Sequence, residues 1–381
     1  MSEFQNTILS EVRRRGRVTF AEFMKWALYH PIHGYYAAGG ERRGRGGDFF
    51  TSVGTGGLFG RLLAESVTEM WDHLGSGRLT LVELGASDGG LAEQVLKALE
   101  GKGRAKGVSV HLVEKSGPAR EAARRRLARF PRVHLWEDLD EMEHTAGVEG
   151  VVYSNEFFDA LPVHRVRMES GALQEFFVVE KDGRLVEEAG EPSTPRLARC
   201  FEEQEVHLAE GQAAEVCPAL EEVVEGIDRV LARGFVITVD YGEPSVDLYR
   251  EDRRDGTLRT FRKHAVGGDP FQNIGEQDIT AHVDFGRLAA LGARGELDPL
   301  LFCSQGSYFL NSCEGLLRKV VEEEGKQDPS MSRRVQQLLH PEGMGGAFHV
   351  LVQGKNVGRP ELSGGKANRL HRLVKMVNSP P

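Results

Sequence analysis

The stretch VELGASDGGLAEQVLKAL, residues 82–99, joins a short apolar run to an amphipathic helical pattern through Gly85, Gly89 and Gly90. Glycine at such a turn lets the backbone approach a ligand, and the helix that follows offers free amide donors at its start. A dinucleotide site would place glycine at three set positions and use those amides for pyrophosphate. Here Ala86, Ser87 and Asp88 occupy the turn. An acid at Asp88 repels phosphate, which weighs against a nicotinamide-dependent dehydrogenase. The next apolar run, VSVHLVE (108–114), ends in Glu114, an acid placed to accept hydrogen bonds from ribose hydroxyls. A glycine loop and a ribose acid without phosphate features suit an adenosyl group carrying a sulfonium, S-adenosyl-L-methionine. The candidate cofactor-binding residues at this end are Glu83, Gly85, Ala86, Ser87, Gly89 and Glu114.

Outward from this turn, LTLVELG (79–85), VSVHLVE, VHLWE (133–137), VVYSN (151–155) and FVITVDYG (235–242) are β-rich runs of the kind buried on both faces of a parallel sheet. Between the last two, Val216, Leu220, Val223, Val224, Ile227, Val230 and Leu231 repeat at helical spacing and lead to Gly234, expected to close the helix. The alternation predicts an α/β, doubly wound, mostly parallel, Rossmann-like sheet. LLFCSQGSYFL (300–310) and AFHVLVQGK (347–355) supply two further strands.

Residues 1–76 read as an N-terminal region of helices and loops. Thr19 and Glu22 form a capping box ahead of Phe20, Phe23, Met24, Ala27 and Leu28. A second amphipathic helix carries Leu58, Leu62, Leu63, Val67, Met70 and Trp71. Between them, GYYAAGGERRGRGGDFFTS (34–52) is too rich in glycine and arginine for one regular element and is expected to fold over the ligand, Thr51 and Ser52 bonding a carboxylate. The main domain is expected over residues 77–357, with insertions at about 165–214 and 243–280. In the first insertion, FFVVEKDGRLVEE (176–188) predicts a hairpin turning at Asp182–Gly183; the second is polar and irregular. Residues 358–381 read as a basic, solvated tail.

The chain has 381 residues and a net charge of −9, which disfavours a protein that coats nucleic acid. No apolar run is long enough to predict a membrane span, and MSEFQNTILSEVRRRGR lacks an apolar signal core; a cytoplasmic location is expected. Cys200, Cys217, Cys303 and Cys313 show no metal-binding spacing, so reduced thiols and no metal site are expected.

Several stretches resemble the MidA family: ALYHPIHGYY (27–36), GDFFTS (47–52), VELGASDGGLA (82–92), LVEKS (112–116), SNEFFDALPVHRV (154–166), VITVDYGE (236–243), GTLRTFRKHAVGGDPFQNIGEQDITAHVDF (256–285) and SQGSYFL (304–310). Ser87 departs from the pattern, standing where relatives often carry glycine. The resemblance implies a class I methyltransferase fold with an N-terminal helical cap and a β insertion, and S-adenosyl-L-methionine as cofactor. It also implies methylation of an arginine in a protein substrate, of the kind found in a respiratory-complex subunit during complex I assembly. A second copy of the chain is a further candidate partner. The alternative is a non-catalytic protein of assembly or interaction that keeps the fold and the cofactor.

In that fold the end of the fourth strand faces the transferable methyl, which puts Asn155 against cofactor or acceptor and Glu156 and Asp159 against a cationic acceptor. Guanidinium stays protonated and is a poor nucleophile, so paired carboxylates would hold it and concentrate charge on the nitrogen nearest the methyl. His282, in DITAHVDF, is the candidate acceptor of the released proton. If the segment is helical, Asp278 or Thr280 is its expected N-cap.

Overall fold

Seven of the eight strands of the central sheet lie side by side: β1 Leu79–Leu84, β2 Val108–Val113, β3 Val133–Trp136, β4 Val148–Asn155, β5 Leu231–Glu243, β6 Asp298–Ser304 and β7 Phe348–Lys355; the eighth, Val283–Asp284, pairs with the end of β5. The structure is a computed structural model and describes residues 2–37, 56–142, 147–262 and 265–374. The strand order is β6-β7-β5-β4-β1-β2-β3. The neighbours from β3 through to β5 are parallel, and β7 runs antiparallel to both β5 and β6. Chain order reverses between β1 and β4, and such a switch point opens a crevice at the carboxyl ends of the strands.

Both faces of the sheet are covered, which explains why its strands read as continuous apolar runs. On one face Leu81, Val110, Tyr153 and Ile237 pack with the helices Leu58–Leu74 and Gly90–Gly101. On the other, Val82, Leu84, Val152 and Val236 pack with the helices Ala219–Val230 and Phe285–Arg294. Each such fully buried aliphatic side chain contributes about 1.5–3 kcal/mol by leaving water.

Four local readings need correction. The helix before β5 ends at Val230, and Gly234 lies inside the strand at φ 145. A side chain there would put its Cβ 1.9 Å from the Gly150 carbonyl oxygen of β4, so glycine is required by strand contact and not by a helix cap. The helix Leu58–Leu74 packs on the central sheet, not with the cap helices. The segment 243–280 is more ordered than its polarity predicts, since Arg259–Arg262, Ala265–Gly267 and Asp278–Thr280 form a three-stranded antiparallel sheet. The tail is not solvated throughout: the Arg369 amide donates to the Phe302 carbonyl at 2.6 Å, and Leu373 is buried against the sheet's second face.

The expected hairpin forms, with Lys181 paired to Arg184 around Asp182 and Gly183 at φ 51 and 77. It belongs to a separate five-stranded sheet containing Val18–Thr19, His164–Glu169, Ala172–Lys181, Arg184–Gly190 and Ala213–Val216. The N-terminal helices Glu3–Arg15 and Phe20–Tyr29 close over this sheet, burying Phe20, Phe23 and Met24 with Val178 and Ile279. The Thr19–Glu22 capping box is present. Cap and insertion therefore share one core and stand together over the crevice. Among the described residues no helix is long and apolar enough to cross a membrane.

Candidate functional site

A cavity of about 800 Å³ opens where β1, β2 and β4 end. Leu84 and Gly85, Val113 and Glu114, and Glu156 and Phe157 form its floor. Glu22, Lys25, Tyr29 and Tyr36 of the cap and His164 and Arg196 of the insertion form the opposite wall. Seven carboxylates line it, Glu22, Glu114, Glu137, Asp138, Asp140, Glu156 and Glu222, against Lys25, Lys115 and Arg196. Four of the seven meet arginines, Glu22 with Arg15, Glu137 with Arg120, Asp140 with Arg229 and Glu222 with Arg196, so the net negative charge of the lining is smaller than this count.

The glycine loop takes left-handed backbone at Gly85, Ser87 and Gly89, with φ of 67, 50 and 74. A Cβ at Gly85 would lie 2.8 Å from the Phe157 ring, so only glycine keeps this part of the cradle open. Gly89 serves packing instead, facing Ala123 and Leu127. Glu114 accepts from the Ser87 and Ser116 amides, each at 2.8 Å, which fixes its carboxylate on the cavity wall. Asp88 accepts from the Gly90 amide at 3.1 Å and pairs with Arg126, occupying the helix start that a pyrophosphate would need. Gly85, Ser87 and Glu114 thus reach the wall, whereas Ala86 and Glu83 are buried behind it. These features fit an adenosyl ligand: an open glycine cradle with a fixed carboxylate beside it. Thr51 and Ser52 lie outside the described residues, as does the rest of GDFFTS.

Glu83 sits beneath the loop, 3% exposed, where the Tyr153 hydroxyl donates to its Oε2 at 2.9 Å. Burial pushes its carboxyl up to about 8, against the pull of Tyr153. Because the folded value exceeds the unfolded one of 4.5, its contribution is full below pH 4.5 and is lost as pH rises to about 8. Urea denaturation between pH 5.5 and 7.5 is expected to show a Glu83-dependent fall of about 1.4 kcal/mol per pH unit. Glu83→Gln removes that slope; an unchanged slope in the variant would refute the assignment.

The SNEFFDALP turn is organised by a residue whose role spacing alone left open. Asp240 of β5 is fully buried, and its Oδ2 accepts from the amides of Phe157, Phe158 and Asp159 at 3.1, 2.9 and 3.3 Å, while Oδ1 accepts from Tyr241 at 2.8 Å. Burial, with the Glu156 charge nearby, pushes its carboxyl up to about 7 against the pull of the Phe158, Tyr241 and Asp159 amides. The clamp holds Glu156 at φ 53 on the cavity wall. Asn155 Nδ2 donates to Glu156 Oε1 at 2.8 Å, and Asn155 Oδ1 is buried without a partner among the described residues. Asp159 does not reach the wall beside Glu156: it is 5% exposed, and its carbonyl accepts from the Ala281 amide. The expected carboxylate pair is therefore not assembled on this surface.

His282 is also separated from the cavity, lying instead against a void of about 30 Å³ with Asp284 and Arg287. Burial, with Arg253 nearby, pushes its imidazole down to about 4. The helix after it is capped by Asp284, which accepts from the Arg287 amide, and not by Asp278 or Thr280. Sequence reasoning missed the acids after β3 and the wall residues of the cap and insertion. WEDLD at 136–140 carried a signal, since Glu137 and Asp138 follow a strand end as Glu114 does. Among the described residues no group of three or more His, Cys, Asp or Glu side chains is placed to hold a metal ion.

Residues 62–303 match a protein family described as "Putative S-adenosyl-L-methionine-dependent methyltransferase". The chain is 28% identical to the protein arginine methyltransferase NDUFAF7, mitochondrial, of Rattus norvegicus, over 91% of this chain and 83% of that protein. It is 27% identical to the Homo sapiens protein of the same name, over 97% and 86%. A Burkholderia thailandensis crystal structure bound to S-adenosyl-homocysteine superposes with a TM-score of 0.86 at 29% identity, covering 97% of this chain and 96% of that one.

Proposed function

The chain belongs to this family of S-adenosyl-L-methionine-dependent methyltransferases, and from that premise we propose that it transfers a methyl group to an arginine of a protein. The observation that carries the acceptor class is the Glu156 carboxylate on the cavity floor, set there by the turn that Asp240 clamps. Relatives named as protein arginine methyltransferases support the same reading. Location in the cytoplasm and pairing with a second copy of the chain remain part of the proposal.

When bound, S-adenosyl-L-methionine supplies an electrophilic methyl on sulfur. Gly85 and Ser87 give the backbone approach for its nucleoside part, and Glu114 offers the lone pairs left free by the two amides to ribose hydroxyls. Glu156 attracts the guanidinium and orients it through charge-assisted hydrogen bonds. Tyr29 donates to the Ala160 carbonyl at 2.8 Å, which ties the cap to the turn. Aligning a nitrogen with the methyl in a dry cleft lowers the barrier by about 7–11 kcal/mol in well-oriented reactions.

The test uses the full chain, tritiated-methyl S-adenosyl-L-methionine and an extract of cells lacking the chain. Labelled protein, hydrolysed to amino acids, is expected to yield methylarginine. Glu156→Gln should cut the labelling rate by about 10-fold, the worth of one charge-assisted contact, with S-adenosyl-homocysteine binding unchanged. Label on another residue type would remove the arginine reading. Cofactor binding with no labelled protein would favour a non-catalytic assembly role.

A further inference from the structure

We propose that His164, backed by Glu175, takes the proton released when the acceptor nitrogen is methylated, an inference that rests on the arginine reading above. His164 opens the insertion strand that pairs with Val216 and lies on the wall of the same cavity as Gly85 and Glu156. Its ring is 15% exposed, and Nδ1 lies 2.7 Å from Glu175 Oε1. Glu175 is fully buried, and its Oε2 accepts from the Ser193 amide at 2.5 Å. Burial opposes ionisation of Glu175, but His164 and Ser193 outweigh it and hold the carboxyl below its usual range. A carboxylate only accepts, so Nδ1 carries the hydrogen and Nε2 is the bare nitrogen left for the cavity. The other ionisable groups on this part of the wall are Glu22 and Lys25 from the cap, Glu156, and Arg196 and Glu222.

The step balances. The nitrogen lone pair forms the new bond to carbon, the carbon–sulfur bond breaks, and its electron pair stays on sulfur. A guanidinium that gained a methyl and kept every hydrogen would carry two positive charges. Transfer of one N–H proton to His164 Nε2 leaves a singly charged methylguanidinium and an imidazolium whose charge Glu175 offsets. The imidazolium then releases its proton to solvent. Glu175 is a positioning residue, since it acts through His164.

Initial labelling rates of the full chain, measured in the extract above from pH 6 to 9, test this. The wild type is expected to show an acid limb. His164→Asn should lower the plateau rate about 10²-fold and abolish the limb, with S-adenosyl-homocysteine affinity unchanged. Glu175→Gln should move the limb to lower pH, which a merely structural role would not do. A His164→Asn variant with the wild-type rate and limb would overturn the proposal while leaving the arginine reading in place. Nitrogen-15 spectra of the chain saturated with S-adenosyl-homocysteine give a readout independent of activity. A proton on Nδ1 and none on Nε2 above the limb is expected. The reverse tautomer would overturn the proposal even where no arginine is labelled.

Discussion

Asp240→Ala is expected to destabilise the fold by about 3–5 kcal/mol, because buried backbone donors that cost about 1–3 kcal/mol each when unsatisfied are left without their acceptor. Four backbone amides lose their acceptor: those of Phe157, Phe158, Asp159 and Tyr241. An unsatisfied buried donor costs about 1–3 kcal/mol, and the losses are not additive because the turn relaxes toward water as the clamp goes. The same relaxation frees Glu156 from its left-handed backbone, so methyl transfer should fall by about 10-fold, as in Glu156→Gln, in whatever fraction stays folded. Asp240→Asn keeps one acceptor oxygen and should lose less stability. Urea unfolding gives the readout. A loss below about 1 kcal/mol in the alanine variant, near the centre of ordinary substitutions, would show that the turn does not depend on this carboxylate.

Gly85→Val should weaken S-adenosyl-homocysteine binding roughly 10³-fold while leaving the fold intact. A β-branched residue at φ 67 costs about 1–3 kcal/mol in backbone strain. Its Cβ would also meet the Phe157 ring at 2.8 Å, and overpacking adds about 1–3 kcal/mol. The loop escapes both by moving, and in moving it gives up the cradle; about 4 kcal/mol corresponds to the stated loss of affinity. Calorimetry with Gly77→Val as control separates this from a general glycine effect, because nothing lies within 4 Å of a Cβ at Gly77. Equal affinity in the Gly85 and Gly77 variants would mean that the ligand does not approach this loop.

Much of the fold was legible because its signals are local. Glycines at a strand-to-helix turn, apolar runs of strand length and a capping box are set by backbone sterics and by nearest neighbours, so Gly85, Glu114 and the hairpin at Asp182–Gly183 were readable without knowing what lies opposite. Gly234 misled because a glycine after a helical pattern has two explanations, and the contact that distinguishes them is with Gly150, more than eighty positions away.

The site was read less completely than the fold. Reactive residue types clustered in SNEFFDALP and DITAHVDF drew attention to Asp159 and His282, yet spacing along a chain says nothing of which side chains a turn sends inward. Asp240, from another strand, decides that for the first segment by gathering three successive amides. His164 stands inside SNEFFDALPVHRV, but its significance depends on Glu175 from the neighbouring strand and on a wall completed by the helix Phe20–Tyr29.

From the order of residues alone came the sheet, its glycine turn and the acid that ends the second strand, all consequences of periodicity and backbone conformation within short windows. Which carboxylates and which histidine share one cavity emerged only when the cap and the insertion closed over the strand ends. Proximity there is created by burial between segments far apart in the chain, and no local pattern records it.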